Sequence, residues 1–401
     1  MTAPFQHLGP FSDWVAAARE RRSLYPVAAP GEETRQRVRE ILGFVGEAEH
    51  PQDVRVAGRW ERDGVAGEAL SWSVGYGPRT EAWLLKPGGA DTPLPGVVAL
   101  HDHGGFKFYG KEKIADGPDG PAPGLAAFRA RYYGGRAYAN DLARAGFAVL
   151  VHDTFLWGSR RFPLATMPEQ IHALVAASRA LWTPTDDTPE EIAAYNATAG
   201  HHEHWVEKYC ALLGTTLAGV VGHEDRVAAN YLRARSDVLP DRVGALGLSG
   251  GGNRAALLAA SGAPLAATVI VGLMSTYAHL LDHNVGGHTW MFFPHGWARH
   301  GDWPDLAAAA APAPLLVQYD LDDNLFTVEG MRAAHDRLVA RYRDVGTLGA
   351  YEGQFYPGPH KFDRVMQAAA LAWLTDRLAP GPPGAPPDQE GRGAKGSIGN
   401  R

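Results

Sequence analysis

The chain has 401 residues, 45% hydrophobic and 20% charged, with a net charge of -6. That supplies ample apolar material for a large core, and the mild negative charge argues against the basic stripe that nucleic-acid binding requires. The single cysteine, Cys210, excludes an intrachain disulfide and a CxxC-type zinc site.

In chain order, Phe11 to about Gly46 carries helix starts at Ser12 and Glu32–Glu33. Val15, Val38, Ile41 and Leu42 stand at helical spacing. This predicts a helical N-terminal extension over residues 1–50. The opening MTAPFQHLGPFSDW lacks the basic-then-apolar pattern of a signal peptide, and no stretch approaches the roughly 20 apolar residues of a membrane span. A soluble, cytoplasmic protein with no membrane partner is the expectation. Between Val54 and Leu85 the runs VRVAGRW, EALSWSV and EAWLLKP read as antiparallel strands separated by turns.

From Pro95 the rhythm changes. PGVVALHDH, GFAVLVHD, RVGALGLS, AATVIVGL, PLLVQYD and LGAYEG are short strands, the first five strongly apolar. Helices are predicted over Tyr138–Ala145, over NRAALLAAS, over Glu329–Tyr342 and over Phe362–Leu378. A long, mostly helical stretch fills about Pro168 to Leu232, and Cys210 within it, in YCALL, reads as core. Apolar strands alternating with helices imply a mostly parallel sheet with helices on both faces. Residues 160–205 break the alternation and contain Pro163, Pro168, Pro184 and Pro189. They read as a helical lid over the carboxyl ends of the strands, within a catalytic domain spanning 51–378. The Pro/Gly-rich tail 379–401 reads as disordered.

The most informative stretch is Gly247-Leu248-Ser249-Gly250-Gly251, which fits G-x-S-x-G between an apolar strand and a helix. That context marks a nucleophile elbow, a tight turn that exposes a serine at a helix N-terminus. A serine hydroxyl needs a histidine base, and the histidine needs an acid to fix its tautomer. Of seventeen histidines, only His335 and His360 follow PLLVQYD. His335 falls mid-helix, whereas His360 lies in the Gly/Pro-rich loop GQFYPGPHKF, so His360 is the candidate base. Asp320, Asp322 and Asp323 all follow LLVQY. Comparing DNLFT with the D-P-L-V-P loop end selects Asp323, with Asp322 as the alternative and Asp320 as structural. For the oxyanion, the amide of Gly250 and that of Gly105 in HDHGGFKFYG are the candidate donors, with Phe106 as the alternative to Gly105.

These motifs together resemble the α/β-hydrolase superfamily, and within it the dienelactone-hydrolase and acetyl-xylan-esterase-like group, over about residues 80–378. The resemblance rests on HDHGG, GFAVLVHDTFLWGSRRF, GLSGG, LDDNLF and PGPHKF, in that order. It implies an α/β-hydrolase fold with a Ser249-Asp323-His360 triad. The doubled Asp322–Asp323 departs from the group's pattern and leaves the acid open.

Phe106, Tyr109, Trp157 and Trp290 are candidate walls of a substrate pocket. His201-His202-Glu203-His204 lacks HExxH spacing and reads as a solvated or lid-facing cluster, so no metal is expected. The expected activity is hydrolysis of a small or medium carboxylic ester, an acetylated metabolite or a lactone, through an acyl-enzyme and without a cofactor. The alternatives are an amidase, peptidase or acyltransferase using the same triad, or a non-hydrolytic scaffold. Homo-oligomerisation is left open.

Overall fold

The computed structural model describes residues 5–44, 46, 48–179 and 188–379. The expected disordered tail, from residue 380 on, lies outside them, as do residues 180–187 of the insertion.

The N-terminal extension forms two helices, α1 (Ser12–Arg22) and α2 (Glu32–Leu42). α1 ends at Ser23, whose left-handed backbone (φ 46°) breaks the helix before Pro26 and Pro30. α2 begins with Glu32 and Glu33 at its positive dipole end and stops at left-handed Gly43. Its Val38 and Leu42 enter the core.

Three antiparallel strands follow: β1 (Gln52–Arg62), β2 (Val65–Ser73) and β3 (Thr80–Pro87). The alternating region then gives β4 (Leu94–Leu100), α3 (Ala126–Tyr133), α4 (Tyr138–Arg144) and β5 (Ala148–His152). The insertion supplies α5 (Glu169–Arg179) and α6 (Glu190–Leu212), and α7 (Leu217–Arg233) leads back to the sheet. Next come β6 (Val238–Leu248), α8 (Gly250–Ala260), β7 (Ala267–Val271) and the short α9 (Trp303–Ala307). The chain then forms β8 (Leu315–Asp320), α10 (Val328–Asp344), β9 (Tyr351–Tyr356) and α11 (Arg364–Leu378). Helix α3 was not expected from the sequence, and α6 runs seven residues past the expected end of the lid at 205.

The strands make one nine-stranded sheet in the order β1-β2-β3-β5-β4-β6-β7-β8-β9. β3 joins β5 antiparallel, and every pairing from β5 to β9 is parallel. Successive side chains of a strand point to opposite faces. Val98, Leu100, Ala245 and Ile270 therefore pack on one face with α2, α7 and α8. Val97, Ala99, Leu246 and Val269 pack on the other with α4 and α11. Both faces are covered, which is why these strands read as unbroken apolar runs. Parallel β4, β6, β8 and β9 end on one side of the sheet, and there the loops carrying the candidate residues converge. No helix among the described residues is long and apolar enough to cross a membrane.

Candidate active site

Ser249 stands between β6 and α8 with φ 55° and ψ -121°. That region is sparsely populated for a residue with a Cβ, and holding it costs about 1–3 kcal/mol. The surroundings hold it: Ser249 N–H donates to Val271 O (2.8 Å), and Asn253 N–H donates to Ser249 O (2.9 Å). The glycines flanking it are required by close backbone approach. A Cβ on Gly247 would overlap the Gly251 backbone, and one on Gly250 would lie 2.5 Å from the His103 amide nitrogen. The first turn of α8 points its positive end at the serine, where developing negative charge is favoured.

His360 sits in the loop between β9 and α11, and its Nδ1 lies 2.6 Å from Asp323 Oδ2. Asp323 is buried just past β8 and also accepts the Leu325 N–H (2.8 Å). Burial disfavours a charged His360, but the Asp323 hydrogen bond and the charges of Asp323, Asp320 and Asp102 outweigh it. The net effect raises the imidazole above its ordinary value. Asp322 faces solvent instead. Its Oδ2 accepts the Gly358 N–H at 2.7 Å, pinning the histidine loop from outside. Asp320 accepts the Lys361 N–H (3.0 Å), and burial pushes its carboxyl up to about 7. Asp320, Asp323 and His360 present ligand atoms within 4.8 Å of one another. The direct 2.6 Å bond between His360 and Asp323 leaves no room for an ion between those two atoms.

Ser249 and His360 line the same cleft, about 180 Å³ in volume, with Asp102, His103, Gly104, Gly105, Tyr132, Leu248, Gly250, Leu273, Gly287, His288, Thr289 and Leu325. No hydrogen bond joins the hydroxyl to the imidazole among the described residues. Such bonds are often long before substrate binds. The ring of Tyr132 stands edge-on to His360, with centroids 6.3 Å apart.

The loop after β4 departs from expectation at the second oxyanion donor. The Gly105 amide donates back to His103 Nδ1 at 3.1 Å, so it is already engaged. The His103 amide lies against Gly250 and has no acceptor among the described residues. The sequence pointed to Gly105 because glycine frees the backbone. Here the left-handed turn at Gly104–Gly105 serves to fold the loop back on His103.

The four aromatic candidates do not line this cleft. Phe106 is buried against Tyr109 and Phe128. Tyr109 lines a separate surface hollow with Phe108 and Arg161. Trp157 is buried with its ring against His103, centroids 5.2 Å apart. Trp290 directs its indole N–H to His204 Nδ1 at 2.8 Å. The apolar surface of Phe106 and Trp157 goes into packing behind the loops, and the apolar part of the cleft wall comes from Tyr132, Leu248, Leu273 and Leu325 instead.

Glu203 is the residue whose place the sequence did not reveal. Far from solvated, it is 4% exposed, and its carboxylate joins three segments. Oε2 takes His103 Nε2 (2.7 Å) and the Lys107 ammonium, while Oε1 takes Thr289 Oγ1 (2.9 Å) and the Trp290 amide (3.3 Å). Because His103 Nδ1 accepts from Gly105, its proton sits on Nε2 and is donated to Glu203. Burial opposes a charged Glu203, but Lys107 and His103 hold the carboxyl well below its usual range. The insertion, expected as a lid, is thus tied through α6 to both walls of the cleft.

No family model matches the chain. It is 24% identical over 345 residues to YtaP of Bacillus subtilis (strain 168), a protein provisionally named a hydrolase. That alignment covers 85% of this chain and 98% of YtaP. Among solved structures, a provisionally named acetyl xylan esterase from Bacteroides fragilis NCTC 9343 superposes with TM-score 0.63 at 15% identity. The superposition covers 92% of this chain and 95% of that one. A glucuronoyl esterase from Solibacter usitatus gives TM-score 0.57 at 13% identity, covering 86% and 92%. The chain therefore has the α/β-hydrolase fold.

Proposed function

We propose that this chain is a serine hydrolase of carboxylic esters, with Ser249 as nucleophile, His360 as general base and Asp323 as the acid that orients it. The observation that carries the reading is the 2.6 Å His360–Asp323 bond in the same cleft as a strained serine at the N-terminus of α8. His360 takes the hydroxyl proton as Ser249 attacks the carbonyl carbon. The amides of Gly250 and His103 stabilise the oxyanion. His360 then protonates the leaving alkoxide, and a water repeats the sequence to release the acid. None of these steps calls on a cofactor.

A cleft of about 180 Å³ falls below the ~300–1,000 Å³ of drug-sized pockets and suits a short acyl group such as acetyl. The provisional acetyl xylan esterase and the glucuronoyl esterase, by their names, are carboxylic ester hydrolases, which favours an ester over an amide here.

The test is labelling with a fluorophosphonate, followed by a panel of p-nitrophenyl esters of rising acyl length beside matched anilides. The expected result is one adduct on Ser249 and rates that fall beyond short acyl chains. An unlabelled Ser249 would sink the reading, and anilides turned over faster than esters would move it to an amidase.

The pH dependence follows from His360. Only the neutral imidazole can accept the serine proton, and the base's pKa is raised from 6.5. Activity is therefore lost as pH falls through a value above 6.5. An acid limb of kcat/KM at or below 6.5 would contradict this arrangement.

A further inference from the structure

Behind the oxyanion loop lies a buried ammonium that the mechanism above does not use. Lys113 is fully buried, and its Nζ donates to the carbonyl oxygen of Asp102. It also reaches Asp102 Oδ2 (3.3 Å) and His103 O (3.3 Å). The Asp102 carbonyl and the His103 N–H belong to one peptide group. In a trans peptide these two point in opposite directions. The lysine that caps the carbonyl therefore turns the His103 N–H away from itself, toward Gly250, whose missing Cβ makes room for that nitrogen. A charge on the oxygen also withdraws electron density from the same peptide's nitrogen. The N–H becomes a stronger donor, as in any polarised hydrogen-bond chain.

The geometry points to Lys113 as a positioning residue that aims and polarises the His103 amide toward the oxyanion, an inference that rests on the serine esterase reading. Lys113 touches no reacting atom. Its surroundings hold the loop from every side. Tyr133 on α3 donates its hydroxyl to Asp102 Oδ1, and Arg129 Nε donates to the Lys113 carbonyl (3.1 Å). The Phe128 ring lies 5.8 Å from the ammonium.

The charged and titratable groups facing Lys113 are Asp102 and His101 from the loop, Asp153 after β5, Arg254 on α8, and Tyr133 on α3. Burial pulls the ammonium down to about 8. Asp102 and Asp153 oppose that shift, and Arg254 adds to it. The charge behind the peptide is therefore present at neutral pH and fades in mildly alkaline solution.

The experiment compares wild type, Lys113→Met and Lys113→Arg on p-nitrophenyl acetate between pH 6 and 10, with melting temperature and fluorophosphonate labelling alongside. Losing an oxyanion donor outright costs about 10²–10³ in kcat, so weakening one should cost roughly 10- to 100-fold. Lys113→Met should lower kcat by that factor with KM unchanged within about twofold, and its rate should not decline through pH about 8. Wild type should show that decline. Lys113→Arg, which stays charged, should recover most of kcat and lose the decline. A folded Lys113→Met enzyme with wild-type kcat would overturn the proposal. Should Lys113→Met fail to fold, the wild-type profile decides, and a rate flat through pH 8 overturns it. An unlabelled Ser249 in wild type overturns the esterase reading together with this inference. Labelled wild type with an unaffected variant overturns this inference alone.

Discussion

Ser249→Ala should lower kcat toward p-nitrophenyl acetate by at least about 10⁴-fold while leaving the melting temperature within a few degrees of wild type. The hydroxyl makes no hydrogen bond among the described residues, so its loss strands no partner. The strained backbone is held by Val271 and Asn253 rather than by the side chain. The Gly250 and His103 amides and the cleft remain, so some rate above that of water should persist. Steady-state kinetics on variant purified free of wild type, with thermal melting as the fold control, checks this. A variant with more than a few per cent of wild-type kcat would remove Ser249 as nucleophile.

Asp323→Asn should come close to that loss, at about 10⁴-fold in kcat, whereas Asp322→Asn should change kcat by about twofold at most. The two carboxylates are adjacent in sequence but face opposite ways. Asp323 is buried with Oδ2 on His360 Nδ1, and Asp322 is exposed with Oδ2 on the Gly358 amide. An amide at 323 no longer compels the proton onto Nδ1, so the other nitrogen can carry it and face Ser249 as a donor. In the Asp322→Asn variant the new side chain keeps a carbonyl oxygen that can still accept the Gly358 N–H. The pH profile gives an independent reading. Without the Asp323 charge the imidazole is less easily protonated, so the acid limb of any residual activity should move to lower pH. Equal losses in the two variants, or a larger one at 322, would reassign the acid.

Legibility in the sequence varied with the range of the interaction. The elbow could be read because its chemistry is local. Close backbone approach within five residues demands glycine at Gly247, and an apolar strand and a helix flank it. The place of His360 could be read from chain order, since it falls in the Gly/Pro-rich loop after the last strand, where the structure brings it to Asp323. The aromatic candidates were misplaced because a bulky apolar side chain near a site fills the space behind it as readily as it lines it. Phe106 and Trp157 went behind. Glu203 did leave a trace: on α6 the positions Ala199, Glu203, Val206 and Cys210 share one face, and all four are buried. A carboxylate on such a stripe calls for a partner, but helical spacing alone does not say that Lys107 and His103 supply it.

By itself, then, the sequence determined the mostly parallel sheet covered on both faces, the tight turn at Ser249 and the loop position of His360, because each follows from periodicity, steric limits on the backbone, or chain order. Only the tertiary structure decided between Asp322 and Asp323 as the partner of His360, moved the free loop amide from Gly105 to His103, and put Glu203 and Lys113 behind that loop. The reason is physical. Which oxygen of two adjacent carboxylates meets an imidazole 37 residues away, and which amide is left unpaired, depend on how separate loops dock, and docking is set by the packing of the whole sheet and its helices.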